Sequence, residues 1–274
     1  MLTSGSLFCL PICERPPKCP AQRNRFRGIM KIPDTCSHHV WMDPDAGWRI
    51  LLNEGGDYMI RREGEAWVVY LDFLCWREFS DDCAEQAVKV LTQQGPPPEG
   101  GLPLRVGYWS YDFLTAAMGI ALQSPRLDRY PDALWGRPAS MLRIGPGYAE
   151  AYACDSARIK EFEKQAKNPA QWTNLPQIHD FSCNLDFEHY REIFYEAREQ
   201  ILGGHTYQIK ISQRYETRAE PDPLALLLKL HRINPSPESF LVKTPRVCMV
   251  GCSPETLLLR KERSLITRPI GGTW

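Results

Sequence analysis

Apolar residues recur along this chain with two different periods. From residue 48 to 73 the pattern reads as strand. Ile50, Leu51 and Leu52 form an apolar run, Asn53-Glu54-Gly55-Gly56 is a turn signal, and residues 66–71 are rich in Val, Trp and Tyr. A helix is expected next, capped by Asp81 or Asp82, with Ala84, Ala87, Val88 and Leu91 at helical spacing. The Pro- and Gly-rich stretch 94–101 is a loop. Residues 104–112 read as a buried strand whose Gly107 permits close packing. More strand signal fills 131–152, a short charged helix 157–166, and a polar crossing 168–176.

The second half is more strongly patterned. Asp186 is placed to cap a helix over 187–202, with Tyr190, Ile193, Phe194, Ala197 and Ile201 on one face, and Gly203-Gly204 ends it. Residues 207–215 then alternate. Tyr207, Ile209, Ile211 and Tyr215 point one way; Gln208, Lys210, Ser212 and Arg214 point the other. That polar row suits either a solvated sheet face or the lining of a polar cleft. Asp222-Pro223 opens a helix carrying Leu224, Leu227, Leu228 and Leu230. Asn234-Pro235-Ser236-Pro237 forms a rigid loop. Strands follow over 240–243, 247–251 and 256–260, and a hairpin at 261–264 leads to a last strand, 265–268.

Composition narrows the class. The 274 residues are 43% hydrophobic and 24% charged, which marks a globular chain. Thirty-three basic residues balance 33 acidic ones, so charge gives no case for nucleic acid or an anionic membrane. No apolar run approaches the ~20 residues that span a bilayer. Residues 1–13 lack a basic start and are interrupted by Pro11, so a cytoplasmic protein is expected. Cys9, Cys13, Cys19 and Cys36, among ten cysteines, lack the paired short spacings of a zinc site. Residues 1–40 read as a disordered extension, with Met30 an alternative start.

One constellation carries chemistry. Glu255 follows a strand and a proline-fixed turn (Ser253-Pro254). Gly271, Gly272 and Thr273 follow the strand that returns from it. A hairpin brings its two ends together. The carboxylate for proton transfer would therefore lie beside an amide-and-hydroxyl cradle for an anion.

These residues resemble the motifs of the chorismate-utilising enzymes. Gly203, Gln208 and Ser212-Gln213-Arg214 match one motif strand. Asn234-Pro235-Ser236-Pro237, Ser253-Pro254-Glu255 and Thr267-Arg268-Pro269-Ile270-Gly271-Gly272-Thr273 follow in the family's order and spacing. Gly107-Tyr108-Trp109-Ser110-Tyr111-Asp112 is similar to an upstream strand, and Leu51-Leu52 stands at the family's early turn. The resemblance covers about residues 48–273.

The resemblance implies an α+β fold of antiparallel sheets packed with outer helices, two subdomains around a chorismate cleft, incomplete at the C-terminus. It divides the chain into the extension (1–40), the N-terminal region of a component I (41–175) and the start of the chorismate-binding catalytic domain (176–274). Its Mg²⁺ ligands fall beyond this stretch, so no turnover is expected from it alone. Glu255 is implied as general acid/base, Gly271, Gly272 and Thr273 as substrate-binding, and Gln208 as a pocket residue where isochorismate synthases carry a water-activating lysine. Glutamine there resembles the aminating members, which take ammonia from a glutamine amidotransferase subunit. Tyr207-Gln208 and the short region before Leu51 favour aminodeoxychorismate synthase component I. Anthranilate synthase component I is the alternative, and a non-catalytic chain pairing with an amidotransferase or a separate C-terminal half is another. Gly271 replaces the lysine of many aminodeoxychorismate synthases and the alanine usual in anthranilate synthases. The family's tryptophan-binding serine is Glu54 here. The carboxylate opposes a tryptophan site at Glu54, Pro237, Glu238 and Ser239.

Overall fold

Asp43 and Pro44 set the first element. In the computed structural model, which describes residues 7–9, 36–79, 102–103, 105–120, 130–169, 171–261 and 263–270, the Asp43 side chain accepts from the Asp45 N–H at 3.0 Å. Helix α1 (Pro44–Leu52) starts there. Ala46, Gly47, Ile50 and Leu51 fall on its buried face. The apolar run 50–52 is therefore the last turn of a helix and not a strand. An Asp-Pro cap with buried positions one and four apart outweighs three consecutive apolar residues. The helix expected from Asp81 or Asp82, and the loop 94–101, lie outside the described residues.

Strands β1 (Leu7–Cys9) and β2 (Ser37–Trp41) precede this helix. After it come the hairpin β3 (Tyr58–Glu63) and β4 (Ala66–Phe79), then β5 (Val106–Trp109). The strand expected to run to residue 112 stops at Trp109, because Ser110 Oγ accepts from the Phe113 N–H at 3.0 Å and caps α2 (Tyr111–Ala117). Strands β6 (Ala133–Gly145) and β7 (Tyr148–Ala153) and helix α3 (Ser156–Gln165) follow as expected.

Residues 174–222 form a separate unit. It holds β8 (Phe181–Cys183), α4 (Phe187–Leu202) and β9 (Tyr215–Thr217). The Asp186 cap is present: its carboxylate accepts from the His189 N–H at 2.9 Å. Of the strand expected over 207–215 only Tyr215 pairs, in β9 with β8; 207–214 are irregular. Alternation alone does not make a strand, and among the described residues no strand offers 207–214 a ladder.

The first unit resumes with α5 (Pro223–Ile233), β10 (Glu238–Lys243), β11 (Cys248–Ser253), β12 (Thr256–Lys261) and β13 (Ser264–Arg268). Its main sheet runs β1-β11-β10-β3-β4-β6-β7-β2, with β5 beside β6; every pairing is antiparallel. The expected α+β class of antiparallel sheets with helices is what the chain adopts. Strand β10 pairs with β3 across most of the sequence (Leu241 opposite Ile60).

Both sheet faces are buried. Trp67, Val69 and Leu71 point to one face, where they meet Ile50 of α1, Phe162 of α3 and Leu224 and Leu227 of α5. Val68 and Tyr70 point to the other, with Met59, Met141 and Met249. A strand buried on two sides has no polar face to show, which explains the unbroken apolar run at 66–71. Among the described residues no helix is long and apolar enough to cross a membrane.

A Cβ added at Gly107 would sit 2.0 Å from the Leu134 carbonyl oxygen. Backbone cannot swing aside like a side chain, so Gly107→Ala should cost about 3 kcal/mol by forcing β5 away from β6. A shift of the urea midpoint with an unchanged denaturant slope would show this; no shift would mean the strand edge yields freely.

Candidate active site

The Ser253-Pro254-Glu255 bend joins β11 to β12, and three sequence-distant segments meet around it. On one side lies the start of β10. Glu238 stands opposite Ser253 in the β10–β11 register, and Thr256 Oγ1 donates to Glu238 Oε1 at 2.5 Å. On the other side lies the end of β13. Thr256 pairs with Arg268, and the Ile270 N–H donates to Glu255 Oε1 at 3.2 Å. Glu255 therefore contacts the residue that enters the Gly271-Gly272-Thr273 turn. Those three residues lie outside the described ones. The Glu255 carboxylate is half-exposed. Among the described residues the Ile270 N–H is its hydrogen-bond donor, which leaves carboxylate acceptor capacity for a substrate.

A buried tether supports the β10 side. Ser239 is fully buried; its Oγ lies 2.8 Å from His231 Nδ1, 2.9 Å from the Ser236 carbonyl and 3.3 Å from Cys252 Sγ. It links the end of α5, the proline loop, β10 and β11. Trp67 meets the His231 ring edge-on at 4.9 Å. Burial, helped by the nearby Arg62 charge, holds His231 below its ordinary pKa of 6.5. The bonds from Thr256 to Glu238 and from His231 to Ser239 join partners with no pattern between them in sequence. Position in a motif was the only available signal.

Glu54 belongs to a different cluster. Arg158 Nη2 donates to it at 2.7 Å and Gln165 Nε2 at 2.9 Å. Arg158 Nε also donates to Asp72 at 2.8 Å, and its Nη1 pairs with Glu161 at 2.7 Å. Burial opposes the Arg158 charge, but the Asp72 carboxylate outweighs it and the guanidinium pKa is raised. Asp72 sits at φ 53° at an irregularity in β4 and also accepts from Ser140. Glu54, Gly56, Asp57, Asp72, Phe73 and Trp76 line an open pocket. Pro237, Glu238 and Ser239 do not line it. Glu54 is thus occupied by two donors of its own chain.

Gln208 lies in the separate unit, exposed on the irregular segment before β9. Among the described residues no group of three or more His, Cys, Asp or Glu side chains could hold a metal ion.

A family model described as chorismate binding enzyme matches residues 37–274. The chain belongs to the chorismate-binding enzyme family. Within it, the chain is 41% identical over 124 residues to an anthranilate synthase alpha subunit 2 of Arabidopsis thaliana, covering 43% of this chain and 20% of that protein. It is 37% identical over 237 residues to the alpha subunit 1, covering 72% of this chain and 39% of that protein. Among solved structures, anthranilate synthase component I from Streptococcus pneumoniae TIGR4 matches with a TM-score of 0.52 at 19% identity, over 88% of this chain and 55% of that one. The menaquinone-specific isochorismate synthase MenF of Escherichia coli matches with a TM-score of 0.51 at 15% identity, over 86% and 55%. At these identities the structures establish a shared fold. The chain spans 20% and 39% of the two curated relatives and 55% of either solved neighbour.

Two substitutions probe the tethers. Arg158→Met strands Glu54 and Asp72 without their cation and should cost about 3 kcal/mol in urea unfolding; a near-neutral result would show that water already screens the cluster. His231 tests the other by pH. Its folded pKa is depressed, so its contribution is complete above pH 6.5 and fades as pH falls through the folded value. Wild type should lose stability relative to His231→Gln between pH 7.5 and 5.0. A constant difference would mean that burial does not disfavour the charged ring.

Proposed function

We propose that this chain belongs to a component I that aminates chorismate to anthranilate, with Glu255 as general acid/base. The observation that carries the proposal is the hydrogen bond between Glu255 and the Ile270 N–H, which seats the carboxylate at the entrance of the Gly-Gly-Thr turn. In this reading Glu255 protonates the departing C4 hydroxyl of chorismate, and Gly271, Gly272 and Thr273 receive a substrate carboxylate. The Glu238–Thr256 bond orients the bend that presents the acid. By the resemblance Gln208 stands where isochorismate-type enzymes carry a lysine, which suits ammonia rather than water as nucleophile. The ammonia would come from a glutamine amidotransferase subunit. Mg²⁺, required by the resemblance, would neutralise the substrate carboxylates from ligands outside the described residues.

Similarity to the two Arabidopsis anthranilate synthase subunits supports anthranilate as product. A second reading, amination at C4 to 4-amino-4-deoxychorismate, is favoured by Tyr207-Gln208. Gly271 leaves no lysine for covalent attack in either case.

The test is chorismate conversion, with ammonium and Mg²⁺, by the protein expressed from its native gene. Fluorescent anthranilate supports the first reading. A product that yields p-aminobenzoate only after an added lyase supports the second. A cooperatively folded protein that consumes no chorismate sinks both. Glu255→Gln should lower kcat by about 10²–10⁴-fold while leaving the thermal transition in place.

A further inference from the structure

We propose that Cys36 and Cys154 form a reversible cross-strand disulfide, a thiol-modification site at the outer end of the main sheet that locks β2 onto β7. Strand β2 is the terminal strand of the sheet order. It pairs antiparallel with β7, with Ser37 opposite Ala153 and His38 opposite Tyr152. One step further along that register places Cys36 opposite Cys154. Directly opposed residues of an antiparallel pair have Cα atoms roughly 4.5–5.5 Å apart, inside the window that a disulfide bridges. The two thiols interact with each other. Neither is in a disulfide, and both are half-buried, so a small oxidant can reach them.

Two contacts hold the register that the bond needs. The His38 ring stacks on Tyr152 with centroids 4.3 Å apart, and His39 Nδ1 pairs with Glu163 of α3 at 2.8 Å. Burial, with the neighbouring Cys154, pushes the Cys36 thiol pKa up, so the resting state is the dithiol. Four other cysteines lack this arrangement. Cys75 and Cys183 are exposed on separate units. Cys248 and Cys252 lie four residues apart on one strand, about 13 Å along it, too far to join.

The reaction needs a low-molecular-weight disulfide as oxidant. One protein thiolate attacks a sulfur of oxidised glutathione, forming a protein–glutathione mixed disulfide and expelling one reduced glutathione. The second protein thiolate attacks the protein sulfur of that bond, closing the Cys36–Cys154 link and expelling the other. Two thiols lose two electrons and two protons, and one glutathione disulfide becomes two thiols.

The full chain is incubated with oxidised glutathione, remaining thiols are alkylated, and peptides are mapped by mass spectrometry. A peptide pair linked through Cys36 and Cys154, lost on reduction, is expected, while Cys75 and Cys183 carry glutathione or alkyl groups. Oxidation should raise the melting temperature by about 5–10 °C, and this rise should be absent in Cys154→Ser. Recovery of Cys36 and Cys154 unlinked, while Cys75 and Cys183 are modified, would overturn the proposal. So would a mixture in which Cys36 links to several cysteines in comparable amounts, because the link would then report an unfolded chain.

Discussion

The pairing of β10 with β3 is the constraint on which the rest is arranged. Residues near position 60 and near position 241 lie side by side in one ladder, so the late segment is fixed by an early hairpin. Once β10 is seated, β11 must fold back along it. The bend after β11 is then placed next to the start of β10. Every residue around Glu255 inherits its position from this step. Closing so long a loop is entropically costly, and the two-faced burial of β3, β4 and β10 offsets that cost.

Arg158 plays a comparable part at the other end of the same sheet. It joins helix α3, the turn after α1 and the irregularity in β4 through one guanidinium. Asp72, just before that irregularity, sits in the left-handed region, a conformation that aspartate tolerates better than bulky residues do. Glu54 is thus held by an internal ion pair with Arg158 and a bond from Gln165. The occupied carboxylate gives a physical reason for reading this pocket separately from a tryptophan site.

What the sequence showed depended on whether the signal was local. The Asp186-capped helix and the Pro223 helix were readable because cap, period and terminator sit within a few residues. So was the hairpin of β12 and β13. Residues 50–52 misled because three apolar residues fit either period, and the deciding cap, Asp43, lies seven residues upstream. Residues 207–214 misled for the opposite reason: their alternation is clean, but a strand also needs a partner. The Ser239 tether, the Arg158 cluster and the opposition of Cys36 to Cys154 depend on tertiary pairing that no short window contains.

The ribbon of β12 and β13 has a further consequence. Leu257, Leu258 and Leu259 are all substantially exposed on β12, as is Leu265 on β13. A two-stranded ribbon this greasy is not self-sufficient in water. Its greasiest stretch begins two residues after the carboxylate assigned to proton transfer. Whatever shields these leucines from water therefore also sets the polarity around Glu255, so solubility and the surroundings of the carboxylate are coupled rather than separately adjustable.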